Sequence, residues 1–181
     1  MRIGYLGPKT NSELAVGMLK GAFEHVRLPS IDEVVKTLYR GGVDRAVIPV
    51  RNSITGAITD HLDMITQYGL SVVDEISIPI RHCIAGMSRD VGFIMSHPEA
   101  LKQCSTYLDK HFPYTYRGAV NSTAWAAEFI SHIRGNGAAI AREDTCRHYG
   151  LPILEKDIVR NNISSFYVCE KDRVKNHRGI L

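Results

Sequence analysis

Val91-Gly92-Phe93-Ile94-Met95-Ser96-His97-Pro98-Glu99-Ala100-Leu101 reads as a strand running into a helix. Val91 to Met95 is a short apolar run. Ser96-His97-Pro98-Glu99 then supplies a cap, an early proline and an acid in the first turn. The same unit recurs in both directions along the chain. Ile3 to Leu6 predicts a first strand closed by Gly7-Pro8, with a helix from about Ser12 to Ala22 presenting Leu14, Met18 and Leu19 on one face. A short strand near His25 to Leu28 precedes a helix opened by the capping box Ser30 and Glu33 and ended before Gly41-Gly42. Arg45 to Val50 is a third strand, Ile58 to Gln67 a helix, and Leu70 to Cys83 a long β stretch broken by Pro79. Beyond the opening unit come a strand at Tyr114 to Ala119, a helix from Ser122, a strand at Ala138 to Ala141 and a short helix from Glu143 to Tyr149. Pro152 to Leu154 and Ser165 to Cys169 finish the β content, and the polar residues from Lys171 to His177 are expected to fray. Strands alternating with helices predict an α/β fold with mainly parallel sheets.

The composition fits this reading. In 181 residues, 44% are hydrophobic, 23% charged and 8% aromatic, which suits one compact domain or two small lobes and excludes wholesale disorder. No apolar run approaches the roughly 20 residues of a membrane helix, and the N-terminus lacks the apolar core of a signal peptide. The expectation is a cytoplasmic protein. A net charge of +3, from 22 basic and 19 acidic residues, gives no case for nucleic acid or membrane partners. Cys83, Cys104, Cys146 and Cys169 form no Cys-x-x-Cys pair and are read as free, buried thiols. His82, His97 and His148 have no zinc-ligand spacing around them. No metal and no cofactor are expected.

In α/β sheets ligands sit beyond the carboxyl ends of strands, where helices begin. No Gly-x-Gly-x-x-Gly or Gly-x-x-x-x-Gly-Lys stands there, which weakens any nucleotide reading. The turns to weigh are Pro8 to Ser12, Pro49 to Gly56, Ser96 to Glu99, Asn121 to Ala124 and Asn161 to Phe166. Most are rich in Ser, Thr or Asn beside a helix start, a setting that cradles carboxylates or phosphates. Each also has a plainer reading. Ser12, Ser30, Ser96 and Ser122 suit simple N-caps, Asn52-Ser53 and Thr55-Gly56 suit turns, and His82, His97 and Trp125 suit packing. The residue pattern itself stops at an α/β protein with several anion-competent turns.

Taken in order, these segments resemble the catalytic domain of the prephenate dehydratase family. Gly7-Pro8-Lys9-Thr10-Asn11-Ser12-Glu13 is similar to the family's Gly-Pro-x-Gly-Thr-Phe-Ser-Glu. Pro49-Val50-Arg51-Asn52-Ser53-Ile54-Thr55-Gly56 resembles Pro-x-Glu-Asn-Ser-x-x-Gly, and Pro79-Ile80-Arg81-His82-Cys83-Ile84 resembles Pro-Ile-x-His-x-Leu. Ser96 to Cys104 is similar to Ser-His-Pro-Gln-Ala-Leu-x-Gln-Cys. Asn121-Ser122-Thr123-Ala124-Trp125-Ala126-Ala127 matches Ser-Thr-Ala-x-Ala-Ala, and Gly137 to Ala141 and Tyr149 to Leu154 complete the series. The resemblance implies a two-lobed fold of the type II periplasmic-binding-protein kind with a central interlobe cleft. Lobe one would be 1–77 with 160–181, and lobe two 78–159. It further implies prephenate as substrate, held by Thr10, Asn52, Ser53, Ser122, Thr123, Ala124 and Asn162, with His82 and Gln103 lining or bracing the cleft. Family catalytic domains commonly pair, so a homodimer is the expectation by analogy.

The pattern breaks at one end. The family's Thr-Arg-Phe motif, which carries the proposed acid role at the departing hydroxyl, is matched by Ser164-Ser165-Phe166, following Asn162. Serine supplies neither the charge nor the five donors of arginine. The first loop lacks a glycine and holds Asn11 in place of phenylalanine, and Arg51 replaces glutamate where a dianion should lie. Prephenate decarboxylases of the bacilysin type resemble dehydratases but lack the Thr-Arg-Phe signature and the C-terminal ACT domain. With Leu181 read as the chain's end, no such domain is expected. The expectation is a non-aromatising decarboxylase acting through Asn162, Ser164 and Ser165, with Arg51 and Phe166 at the substrate. The alternatives are a dehydratase, with Ser164 as donor, and a ligand-binding module without turnover.

Overall fold

The computed structural model describes residues 1–172; the tail expected to fray lies, from residue 173 onward, outside them. The chain divides into two compact units. One holds Met1–Arg51, Ala57–Ile78 and the chain from Ser165, the other Asn52–Gly56 and Pro79–Ser164. By this division 52–56 and 160–164 lie with the second unit and Ile78 with the first, which differs at those segments from the expected lobe bounds. No described helix is long and apolar enough to cross a membrane.

The first unit begins with β1 (Arg2–Leu6), α1 (Asn11–Gly17), β2 (Glu24–Leu28), α2 (Ile31–Tyr39), β3 (Arg45–Asn52), the short β4 (Gly56–Ala57), α3 (Thr59–Gln67) and β5 (Leu70–Pro79). A last strand, β11 (Ile163–Lys171), returns to it between β3 and β5, giving the order β2-β1-β3-β11-β5 with β4 beside β3. The β1 strand runs parallel to both β2 and β3. Helix α2 starts as its capping box predicts: the Ser30 hydroxyl accepts the Glu33 N–H at 3.2 Å. Its Ile31, Val34, Val35 and Leu38 repeat at helical spacing and bury against Ala46, Ile48, Val50, Leu70 and Cys169.

Helix α1 departs from expectation. It ends at Gly17, and Thr10 rather than Ser12 is its N-cap, accepting the Glu13 N–H. The buried face is Ser12, Ala15 and Val16, whereas Leu14 and Met18 are exposed. The helix runs for only seven residues because Gly17 weakens it and Gly21 takes a φ of 129°, which no helix allows. The predicted stripe therefore never forms.

The second unit contains β6 (Cys83–Gly86), β7 (Phe93–Ser96), α4 (Pro98–Gln103), α5 (Ser105–His111), β8 (Tyr116–Ala119), α6 (Thr123–His132), β9 (Gly137–Ala141), α7 (Glu143–His148) and β10 (Ile153–Glu155). Its sheet order is β10-β6-β9-β7-β8. The β7 strand is parallel to β8 and β9, but β6 runs antiparallel to β9 and β10. This sheet is mixed, two of its four pairings being antiparallel, where mainly parallel sheets were expected. The long β stretch from Leu70 also divides: β5 stops at Pro79, which has no N–H to extend a ladder, and β6 belongs to the other sheet. Ile84, Ile94, Ala138 and Ile140 pack with Ala100, Cys104 and Leu108, while Ala85, Ala139 and Ala141 pack with Ala126, Ala127, Ile130 and Cys146. Between β6 and β9 the backbones approach so closely that a Cβ on Gly86 would lie 2.6 Å from the Gly137 carbonyl oxygen.

Candidate functional site

Six of the thirteen site residues expected from the sequence are gathered in the second unit by hydrogen bonds, and Asn52 is their centre. Its Oδ1 accepts the main-chain N–H groups of Ile54 at 2.9 Å and Thr55 at 3.3 Å. A main-chain N–H can only donate, which fixes that atom as the oxygen. The Nδ2 group then donates twice, to Asn162 Oδ1 at 2.6 Å and to Ser164 Oγ at 2.9 Å. With its oxygen so engaged, Asn162 turns its amide nitrogen to Gln103 Oε1 at 2.9 Å. The same oxygen lies 2.8 Å from His82 Nε2. Asn52, His82, Asn162 and Ser164 are all buried, so each bond stands in a low-dielectric setting where a missing partner costs more than in water.

Local backbone explains how these side chains meet. Asn52 ends β3, and its side chain caps the turn that follows, as asparagine does in tight turns. Asn161 holds a φ of 56°, a left-handed conformation that asparagine tolerates. That turn places Asn162 O to accept the Ile80 N–H at 2.8 Å and Ile163 O to accept the Ser53 N–H at 2.8 Å. The Ser53 hydroxyl donates to Asn161 O at 2.8 Å and accepts the Ile163 N–H at 2.9 Å. Its donor is spent on the turn, so the structure gives Ser53 a bracing position. Gln103 ends α4, and His82 immediately precedes β6.

Burial pushes the His82 imidazole below its ordinary value near 6.5, opposed by the bond to Gln103 and reinforced by the Arg142 charge. Its Nδ1 is buried and has no partner among the described residues. The Ser164 hydroxyl accepts from Asn52 and makes no other hydrogen bond among the described residues, which leaves its own proton free to be donated. Gln103 Nε2 likewise bonds to nothing among the described residues.

The other expected residues are placed as follows. Ser122 caps α6, accepting the Trp125 N–H at 3.0 Å, with Thr123 and Ala124 in the first turn; none of the three bonds to the Asn52 group. Thr10, Arg51, Ser165 and Phe166 belong to the first unit. Thr10 donates to Leu6 O. Arg51 is exposed and forms no ion pair among the described residues. Ser165 Oγ lies 2.7 Å from Ser77 Oγ, and Phe166 is 1% exposed, a core side chain. The loop before α1 keeps its turn without the family's glycine because Lys9 takes a φ of 59°, with its N–H donating to Glu13 Oε2 at 2.7 Å. Ser96 is not the cap of α4. It is buried and donates to Ile140 O at 2.6 Å, while His97 Nδ1 accepts the Glu99 N–H at 3.2 Å.

Sequence reasoning passed over Thr55 and Glu99 as a pair. The Thr55 hydroxyl donates to the Glu99 carboxylate, tying the turn after Asn52 to the start of α4. The signal was the acid at position 99 where the family pattern has glutamine. All four cysteines are free and buried, and burial pushes Cys104, Cys146 and Cys169 up to about 12, which makes them packing residues rather than nucleophiles.

The prephenate dehydratase family model matches residues 3–174, and the chain belongs to that family. It is 34% identical to prephenate dehydratase of Bacillus subtilis over 184 residues, covering 95% of this chain and 65% of that protein. A prephenate dehydratase structure from Arthrobacter aurescens, solved with L-Phe, superposes with a TM-score of 0.80 at 25% identity, over 95% of this chain and 60% of the other. A Bacillus subtilis lipoprotein structure named for methionine binding superposes at 0.61 with 11% identity, over 98% of this chain and 85% of the other. The fold is thus the two-lobed α/β type of the prephenate dehydratases and periplasmic-binding-protein-like domains. The chain spans less than two thirds of the Bacillus relative's length.

Proposed function

We propose that this chain is a cofactor-free lyase that takes prephenate and releases its ring carboxylate as CO2, leaving the ring hydroxyl in place. The reading draws on family membership and on the name of the Bacillus relative for the substrate. One observation carries the choice of outcome: the two positions matching the family's Thr-Arg are neutral hydroxyls, Ser164 held by Asn52 and Ser165 beside Ser77. Expelling the ring hydroxyl as water requires proton donation to it, and a positioned acid is worth about 10²–10⁴ in rate. Without the guanidinium, the bond from the ring to its carboxylate breaks and its electron pair becomes a new ring double bond. The displaced diene pair takes one proton from solvent at a ring carbon. One proton is consumed, CO2 departs and no water is lost, giving a dihydro-4-hydroxyphenylpyruvate. In this reading Ser164 and Gln103 donate to substrate oxygens and orient the ring, with Asn52 and Asn162 holding them.

A second reading is dehydration to phenylpyruvate. It is favoured by the free proton of Ser164, a hydroxyl where the family has threonine, and by the dehydratase name of the Bacillus relative. Proton NMR of prephenate incubated with the protein at neutral pH separates the two. Non-aromatic signals that retain the carbinol proton are expected. Phenyl signals would reject the first reading, and unchanged substrate would reject both.

A further inference from the structure

We propose that His82 is a positioning residue for Gln103: held as the Nε2–H tautomer, its ring fixes the glutamine with its oxygen inward and its amino group outward as a donor pair facing the ligand. The proposal deepens the lyase reading and, for the word ligand alone, rests on it.

The main-chain N–H groups of Ile54 and Thr55 settle which Asn52 atom is oxygen, and each later amide must then face its neighbour in one sense only. Asn162 meets Asn52 with its oxygen and Gln103 with its nitrogen. Gln103 therefore presents Oε1, and whatever else touches that oxygen must donate to it. His82 Nε2, at 2.8 Å, must carry the ring proton. In a neutral ring this leaves Nδ1 as a bare acceptor, and Nδ1 is the one buried side-chain polar atom with no partner among the described residues. His82, 3% exposed, thus engages its surroundings through Nε2 alone among the described residues.

Two donors on one oxygen leave Gln103 no second orientation. Rotating its amide by half a turn would set NH2 against both His82 Nε2–H and the Asn162 NH2. Gln103 is partly exposed and its Nε2 hydrogens are unused within the described protein, so the lock points a donor pair out of the network. Ser164, at the network's other end, likewise keeps an unused proton. Losing His82 would remove one of the two restraints on the glutamine and let the donor pair turn away.

Two substitutions separate this from a packing role. A glutamine at 82 can place its amide nitrogen near the Nε2 position, whereas asparagine reaches only as far as Nδ1. His82→Gln is expected to keep most of kcat/KM toward prephenate. His82→Asn and His82→Phe should lose about tenfold to a hundredfold, the cost of a donor misplaced by about an ångström. Equal kinetics for the Gln and Asn variants at similar Tm would overturn the proposal. Nitrogen NMR of the ligand-free wild type supplies an arm that needs no turnover. His82 should show a protonated Nε2 and an unprotonated Nδ1, and the Gln103 side-chain amide signals should broaden or double in His82→Phe. The reverse tautomer, or unaltered Gln103 signals, would overturn it. Should wild type leave prephenate untouched, the lyase reading fails and these spectra alone decide the positioning role.

Discussion

Asn52 donates to Asn162 at 2.6 Å across a sequence separation of 110 residues, and both side chains are buried. Removing the Asn52 amide would strand the Asn162 oxygen and the N–H groups of Ile54 and Thr55 together. Asn52→Ala is expected to lower stability by about 2 kcal/mol, since one unsatisfied buried group already costs about 1–3 kcal/mol. Urea denaturation checks it. A loss within 0.5 kcal/mol, the scale of an ordinary surface change (about 0.5 kcal/mol), would mean that the network relaxes freely.

The pair Ser164-Ser165 offers a test of how product outcome is set. The double variant Ser164→Thr with Ser165→Arg restores the family motif, and phenylpyruvate should rise as a share of product. Integrated NMR signals give the ratio. An unchanged ratio would place the control of outcome elsewhere.

His82 makes stability depend on pH in a definite direction. Its pKa is depressed in the folded protein, so between that value and 6.5 the unfolded chain binds more protons. Its contribution is fully present above 6.5 and is lost as pH falls from 6.5 toward the folded value, with a slope of at most about 1.4 kcal/mol per pH unit. His97 is depressed by burial too and adds in the same sense. Comparing wild type with His82→Gln isolates the first contribution: the variant should show the shallower fall in denaturation midpoint between pH 6.5 and 5.

Arg51 stands exposed, with no ion pair among the described residues, where the family pattern has glutamate. If it meets a substrate carboxylate, Arg51→Glu should raise KM for prephenate by at least about tenfold, as expected for replacing a charge-assisted bond of about 1.5–3 kcal/mol. Circular dichroism should be unchanged. An unaltered KM would remove Arg51 from the binding residues.

Much of the fold was legible because its signals are local. Ser30 with Glu33, and Ile31, Val34, Val35 and Leu38 behind them, announce α2 and its buried face within nine residues. Helix α1 misled because Leu14, Met18 and Leu19 have the right spacing for a helix that stops at Gly17. The antiparallel placing of β6 was hidden, since Cys83 to Gly86 says nothing of its partners in β9 and β10. At the candidate site, the identities of Asn52, Gln103, Asn162 and Ser164 came from motif resemblance. Their division of labour did not: that Ser53 spends its hydroxyl on a turn, or that His82 donates through Nε2, depends on bonds spanning tens of residues.

The close passage of β6 over β9 at Gly86 and Gly137 bears on all of this. His82 sits on the lead-in to β6, so the imidazole is aimed by a strand whose seating tolerates no added methyl three residues past its start. Variation at position 86 would therefore be read out at a distance, as a misdirected ring rather than a hole in the core.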